Sequence, residues 1–214
     1  MATDDLVSRA RAFAAEAHRG DLRKGTDTPY FDGHLEPVAR LVEQTGGDDV
    51  QIAAAYLHDA AEDHGGEAML DRIRDEFGPD VAEIVDHLSD SLVDTTGVED
   101  KAPWLERKQA YLDGLAGEPT RSLEVSVADK VQNARTILEA HREGGDEVWS
   151  RFNEQRPEGQ LWYYATLVDI FEERIPDHPL TAELADVVTE LATRVRADHP
   201  EVPQTGPWPR PDPA

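Results

Sequence analysis

Apolar positions recur along this chain at intervals of three and four rather than two, the spacing of amphipathic helices. Leu6, Ala10, Phe13, Ala14 and Ala17 form a first such stripe, with Thr3 as its cap, Asp4 and Asp5 in the opening turn and Gly20 as its close. The stretch from Asp21 to His34 breaks the pattern with turn residues and holds a basic pair, Arg23-Lys24. A second helix runs from His34 through Pro37, Val38, Leu41 and Val42 to Gly46-Gly47, and Asp48 or Asp49 caps a third. Helix four spans about Glu67 to Phe77 and ends at Gly78; Pro79 and Asp80 open helix five, with the stripe Val81, Ile84, Val85 and Leu88. Ser91 to Asp100 reads as a loop, Trp104 to Leu115 as helix six, and roughly Ser122 to Arg142 as a helix buried along much of its length. A short helix over Asp146 to Phe152, another over Glu158 to Arg174 and a last over Thr181 to Arg196 complete the pattern, with Pro176, Pro179 and Pro200 at the breaks. The expected fold is all-α: one domain over residues 1–199, then a loose Pro-rich tail over 200–214 in which Trp208 could dock on the body.

Composition narrows the chemistry. With no cysteine there are no disulfides and no thiolate ligands, so any metal must be held by His, Asp, Glu or water. No apolar run is long enough to cross a bilayer, and acid stands at the N-terminus where a secretory signal carries base; a cytoplasmic protein with no membrane partner is expected. The formal charge of -24, from 21 basic against 45 acidic residues, argues against a nucleic-acid partner but leaves room for a small anionic substrate in a locally basic pocket. Lysine occurs only as Lys24, Lys101, Lys108 and Lys130. An acidic, lysine-poor surface fits a saline cytoplasm and a biased genome base composition equally well.

The most informative stretch is Ala53 to Asp63. His58 and Glu62, and Asp59 and Asp63, are each four apart, so on a helix they share one edge. Alone, that edge reads either as a solvated helix end before His64-Gly65-Gly66 or as a mixed nitrogen and oxygen ligand set for a divalent transition metal, with two carboxylates one turn away to hold and deprotonate a water. Asp129 and Asn133 share a second edge, within an otherwise apolar helix. A buried carboxylate there needs a partner, which could be the adjacent Lys130, although neighbours on a helix diverge by about 100°, or a metal.

Taken in order, Ala17-His18-Arg19, Arg23-Lys24, Thr28-Pro29-Tyr30 before His34, Leu57-His58-Asp59 with Glu62-Asp63, Leu88-Ser89-Asp90, Glu106-Arg107-Lys108 and Ala128-Asp129-Lys130 with Asn133 form a set. In this set the chain resembles the HD-domain phosphohydrolases, and more narrowly the hydrolase domain of RelA/SpoT-type alarmone enzymes and the single-domain small alarmone hydrolases. The similarity covers about Leu6 to Arg142 and extends more weakly to Tyr164.

The resemblance implies an HD-domain helical bundle with a metal, usually manganese, held by His34, His58, Asp59 and Asp129. Glu62 and Asp63 match the pair that orients and activates the attacking water. Arg23 and Lys24 match a basic pair around the nucleotide's base and phosphates, Asn133 a sugar or phosphate contact, and Arg156 a further phosphate-contacting arginine. The implied reaction removes the 3′-pyrophosphate of guanosine 3′,5′-bis(diphosphate), (p)ppGpp, to give GDP or GTP. Alternatives are the same site acting on the adenine alarmone ppApp or on the 2′-phosphate of NADPH, and a catalytically silent nucleotide-binding module.

The chain departs from the family pattern at Leu35, where proline is usual, and at Gly33, which replaces a common asparagine. Trp162-Tyr163-Tyr164 reads as core packing rather than a base-stacking surface. His18, His64, His87, His141, His178 and His199 show no carboxylate at useful spacing and read as ordinary histidines. The helical surfaces permit a homo-oligomer without requiring one.

Overall fold

The computed structural model describes residues 5–92 and 102–212. Thr3 and most of the Ser91 to Asp100 loop therefore lie outside the described residues. The elements follow the order α1 (Leu6–Ala17), a π-helical turn (Phe31–Leu35), α2 (Glu36–Gln44), α3 (Asp49–Leu57), α4 (Ala60–Asp63), α5 (Gly66–Phe77) and α6 (Pro79–Leu88). Then come α7 (Trp104–Leu115), α8 (Thr120–Gly144), a 3₁₀ turn (Gly145–Arg151), α9 (Pro157–Arg174) and α10 (Pro179–Asp198). No strand occurs among the described residues; one isolated antiparallel bridge joins Leu22 and Pro29. The fold is all-helical, as the apolar spacing predicts.

Two helices form the axis of the bundle. On α3, Ala53, Ala54, Ala55 and Leu57 are all buried, because a helix apolar on every side is stable only when enclosed. Its small side chains let α1, α2, α6 and α8 approach from different sides. The second axis, α8, buries Val125, Val127, Ala128, Val131 and Ala134 and packs against α2, α3, α6, α9 and α10.

The start of α3 is fixed by a capping box. Asp48 Oδ1 accepts from the amides of Val50 and Gln51, each at 3.0 Å, and Gln51 Oε1 accepts from the Asp48 amide at 3.1 Å. Such a cap stabilises a helix by about 1 kcal/mol. Gln51 Nε2 also donates to Glu124 Oε2 at 2.6 Å and to the Arg121 carbonyl at 3.2 Å, and Arg121 bridges back to Asp48 at 2.8 Å. These contacts set α3 against α8, and so set His58 against Asp129.

Two local departures from simple helix shape the site. The helix expected to carry the whole Ala53 to Asp63 edge is divided, α3 ending at Leu57 and α4 beginning at Ala60, with His58 and Asp59 at the junction. His34 does not begin an α-helix but sits in the π-helical turn. Pro37 supplies the reason. It has no N–H to offer the Gly33 carbonyl four residues back, so the ladder slips to a five-residue step from the Glu36 amide to the Phe31 carbonyl, and the Gly33 carbonyl instead accepts from Gln132 Nε2 of α8 at 3.4 Å. Gly33 lets this turn pack tightly, because a Cβ there would stand 2.9 Å from Thr28 Cγ2 and 3.1 Å from Arg23 Cγ and would oblige those side chains to shift.

The C-terminal stretch, expected to be loose, lies along α10. Arg196 donates to the carbonyls of Pro203 at 2.9 Å and Gly206 at 2.8 Å, and its guanidinium stacks 4.7 Å from the Trp208 ring centre. Val202 and Trp208 are buried. The prolines leave carbonyls without helical partners, and one arginine satisfies two of them while covering an aromatic face.

Candidate active site

Four side chains from three separated parts of the chain converge. His34 projects from the π-helical turn, His58 and Asp59 from the α3–α4 junction, and Asp129 from the middle of α8. The Nε2 atoms of His34 and His58 are 3.2 Å apart. Asp59 Oδ2 lies 3.2 Å from His34 Nε2 and 3.1 Å from His58 Nε2, while Asp129 Oδ1 lies 3.3 and 3.6 Å from the same two atoms. A cation with bonds of about 2.1 Å places neighbouring ligands about 3.0–3.4 Å apart. His34, His58 and Asp59 thus lie at the spacing that a divalent transition metal needs, on nitrogen and carboxylate donors suited to one, and Asp129 stands beside the same two imidazoles slightly farther out.

Neighbouring groups fix these donors. His58 Nδ1 donates to the Ala55 carbonyl at 2.8 Å, so Nε2 is the nitrogen that faces the cluster, free to bind an ion once its proton leaves. The Tyr30 hydroxyl donates to Asp59 Oδ2 at 2.6 Å; burial, then Asp59, push that phenol well above its usual value, so it remains a donor. Lys130 does pair with its neighbour, donating to Asp129 Oδ2 at 2.6 Å, because its long stem spans the divergence between adjacent helical positions. Asn133 Nδ2 donates to Asp129 Oδ1 at 2.5 Å, and Arg23 donates to Asn133 Oδ1 at 2.7 Å.

The titration of the cluster follows from its charges. Burial alone would push the His58 imidazolium down, but Asp59 and Asp129 outweigh it and hold it well above the usual histidine value. Burial would raise Asp59 and Asp129, yet the histidines, and Lys130 beside Asp129, hold both well below the ordinary carboxylate range. Charge of both signs is therefore concentrated in a buried space where a dication can replace protons.

This cluster opens into a cavity of about 570 Å³, a size suited to a nucleotide. Glu62 and Asp63 stand on its wall, with Arg23, Lys24 and Asn133. Lys108 and Lys130 also line it, so three of the four lysines of this lysine-poor chain meet there, and Lys101 lies outside the described residues. Arg107 and Lys108 both bind Asp90, the lysine at 2.5 Å. Tyr163 and Tyr164 are buried, as core packing requires, yet both also face the cavity.

Arg156 is not brought to this cavity. At the N-cap of α9, its guanidinium binds Glu154 at 2.7 and 2.8 Å and reaches the Asp212 carbonyl at 3.4 Å. Arg151, from the preceding 3₁₀ turn, lines the cavity instead.

Several of the histidines read as ordinary have acidic partners after all. His18 and His64 both reach Asp21, His87 reaches Glu118 at 2.9 Å, and His199 reaches Asp146 and Glu201, each at 2.9 Å. Three of these five contacts join distant chain positions, and the two local signals, Asp21 three residues after His18 and Glu201 two residues after His199, were available in the sequence.

The HD-domain family model matches residues 10–154. Guanosine-3′,5′-bis(diphosphate) 3′-pyrophosphohydrolase MESH1 of Xenopus tropicalis is 32% identical over 145 residues, which cover 66% of this chain and 75% of that protein. A probable GTP pyrophosphokinase of Mycobacterium leprae (strain TN) is 33% identical over 134 residues, 62% of this chain but only 16% of that longer protein. Among solved structures, a metazoan ortholog of SpoT that hydrolyzes ppGpp superposes with a TM-score of 0.67 over 89% of this chain and 97% of that one; at 23% identity the likeness is one of fold. The chain belongs to the HD-domain family and is related to 3′-pyrophosphohydrolases of the MESH1 and SpoT type.

Proposed function

We propose that this protein is a manganese-dependent phosphohydrolase that removes the 3′-pyrophosphate of (p)ppGpp, leaving GDP or GTP. The observation that carries the reading is the convergence of His34, His58, Asp59 and Asp129 at the inner end of a cavity lined by Glu62, Asp63 and basic side chains. The similarity to proteins named as 3′-pyrophosphohydrolases supports (p)ppGpp as the substrate within that chemistry.

When bound, the divalent ion supplies Lewis acidity, lowering the pKa of water and neutralising charge that builds on phosphate. Glu62 and Asp63 hold the attacking water and take its proton. As the oxygen of that water bonds to phosphorus, the bond from phosphorus to the ribose 3′ oxygen breaks, that oxygen gains a proton, and pyrophosphate leaves. Arg23 and Lys24 hold the substrate's phosphates with charge-assisted hydrogen bonds, and Asn133 keeps Arg23 aimed by accepting from its guanidinium at 2.7 Å.

The test is turnover of ppGpp, pppGpp, ppApp and NADPH with manganese, with His58→Ala as control. Pyrophosphate release from ppGpp that disappears in the control is expected. Turnover of ppApp or NADPH alone would move the assignment to that substrate. No turnover of any of the four by protein carrying bound metal would overturn the hydrolase reading in favour of a silent nucleotide-binding module.

A further inference from the structure

A second convergence of ligand-type atoms stands apart from the four residues above. His18 Nδ1, at the end of α1, lies 3.1 Å from Asp21 Oδ2; His64 Nε2, just after α4, lies 2.8 Å from the same oxygen and 3.2 Å from His18 Nδ1. Two nitrogens and one oxygen thus form a closed triangle.

Protons alone serve such a triangle poorly. If both rings point an N–H at the Asp21 oxygen, two hydrogens meet across the 3.2 Å edge between the nitrogens. If only one ring carries a hydrogen there, the other presents its lone pair to a carboxylate lone pair at 2.8 or 3.1 Å. A cation among the three atoms satisfies all three edges at once. The separations run from 2.8 to 3.2 Å, against 3.1 to 3.6 Å around His34 and His58, so an ion would be held once the partly exposed Asp21 and His64 open by a few tenths of an ångström.

We propose that His18, Asp21 and His64 form a second binding site for a divalent transition metal of the zinc type, with its remaining coordination position open to the cavity. Two imidazoles and one carboxylate, with a further position left for water or a phosphate oxygen, are a known ligand set for such ions. The site is built rather than incidental. His18 has no exposed side-chain surface, and its ring stacks on Tyr30 with centroids 5.1 Å apart. Asp21 and His64 are 40% and 29% exposed and line the cavity, so an ion can enter and leave. The proposal goes beyond the hydrolase reading and does not depend on it.

The test is titration of chelator-treated, metal-free protein with Co²⁺, read by visible absorption and by elemental analysis after gel filtration. Wild type is expected to saturate at two equivalents. His64→Gln and Asp21→Asn, at partly exposed positions, should each saturate at one with unchanged circular dichroism. His34→Gln should lose an equivalent but keep the spectrum contributed by His18, Asp21 and His64. Saturation of wild type at one equivalent, or retention of two by both His64→Gln and Asp21→Asn, would overturn the proposal. Because the readout is stoichiometry, it stands apart from whether ppGpp is turned over.

Discussion

The Tyr30 hydroxyl donates to Asp59 Oδ2 at 2.6 Å while the same ring stacks on His18, so one residue orients a ligand of the inner cluster and buttresses the outer one. Tyr30→Phe keeps the ring and removes only the donor. Groups that orient a ligand from behind are worth about 10–100-fold in metal affinity. Competition titration of the variant with a chelator should show a loss in that range at the inner site, and an unchanged affinity would remove Tyr30 from this role.

Glu62→Gln together with Asp63→Asn leaves the four converging side chains untouched but removes the groups assigned to the water. Metal content should stay at the wild-type level, while kcat falls by about 10²–10⁴-fold, the range for lost acid–base help. A double variant with wild-type kcat would show that the proton goes elsewhere.

Metal affinity should rise with pH. His58 is held protonated by Asp59 and Asp129 against its burial, so a cation must displace that proton. Each proton released steepens apparent affinity by about tenfold per pH unit. Manganese titrations at pH 6, 7 and 8 would read this slope directly; a flat response would mean that the imidazole is already neutral.

Asp90 ties α7 to the end of α6 through Arg107 and Lys108. Burial pushes its carboxyl up, but Lys108 and then Arg107 outweigh this and hold it below the ordinary range. The unfolded chain therefore takes up the Asp90 proton more readily than the folded one, so the contribution is complete above about pH 4 and is lost as pH falls through the lower folded value. Because Lys108 keeps 22% of its surface exposed, Asp90→Asn should cost roughly 3 kcal/mol at neutral pH, the lower edge for breaking a buried pair. Urea unfolding should show the gap to wild type narrowing in acid, and a constant gap would contradict the ion-pair account.

The helices were legible because apolar stripes and caps such as Asp48 are written locally. The four converging side chains were reached through the ordered motifs of the family resemblance, since nothing local to His34 or Asp129 pairs it with His58 and Asp59. What the sequence hid was set by tertiary geometry. The π-helical turn depends on Pro37 freeing a carbonyl that α8 then takes up through Gln132. The placement of Arg151 rather than Arg156 on the cavity wall depends on the 3₁₀ turn that ends at Arg151 and on the Glu154 carboxylate that holds Arg156. His64 meets His18 only because α4 returns to the end of α1, 46 residues on in sequence.

The cavity wall carries Arg23, Lys24, Arg107, Lys108, Lys130 and Arg151, matched by Asp21, Asp59, Glu62, Asp63, Asp90 and Asp129. Its formal charges cancel, so the excess of -24 belongs wholly to the rest of the molecule. A polyanion arriving from solution is repelled at long range and received by a neutral or, with a cation in place, positive interior. In about 0.01 M salt that repulsion reaches out some 30 Å, and in about 0.15 M only about 8 Å. Capture of a nucleotide polyphosphate should therefore quicken as salt rises over that interval, the reverse of the usual behaviour of a basic site, and stopped-flow association rates would show it. By this argument dilute buffer is the poorer medium for this protein, and an intermediate ionic strength is the one its charge distribution suits.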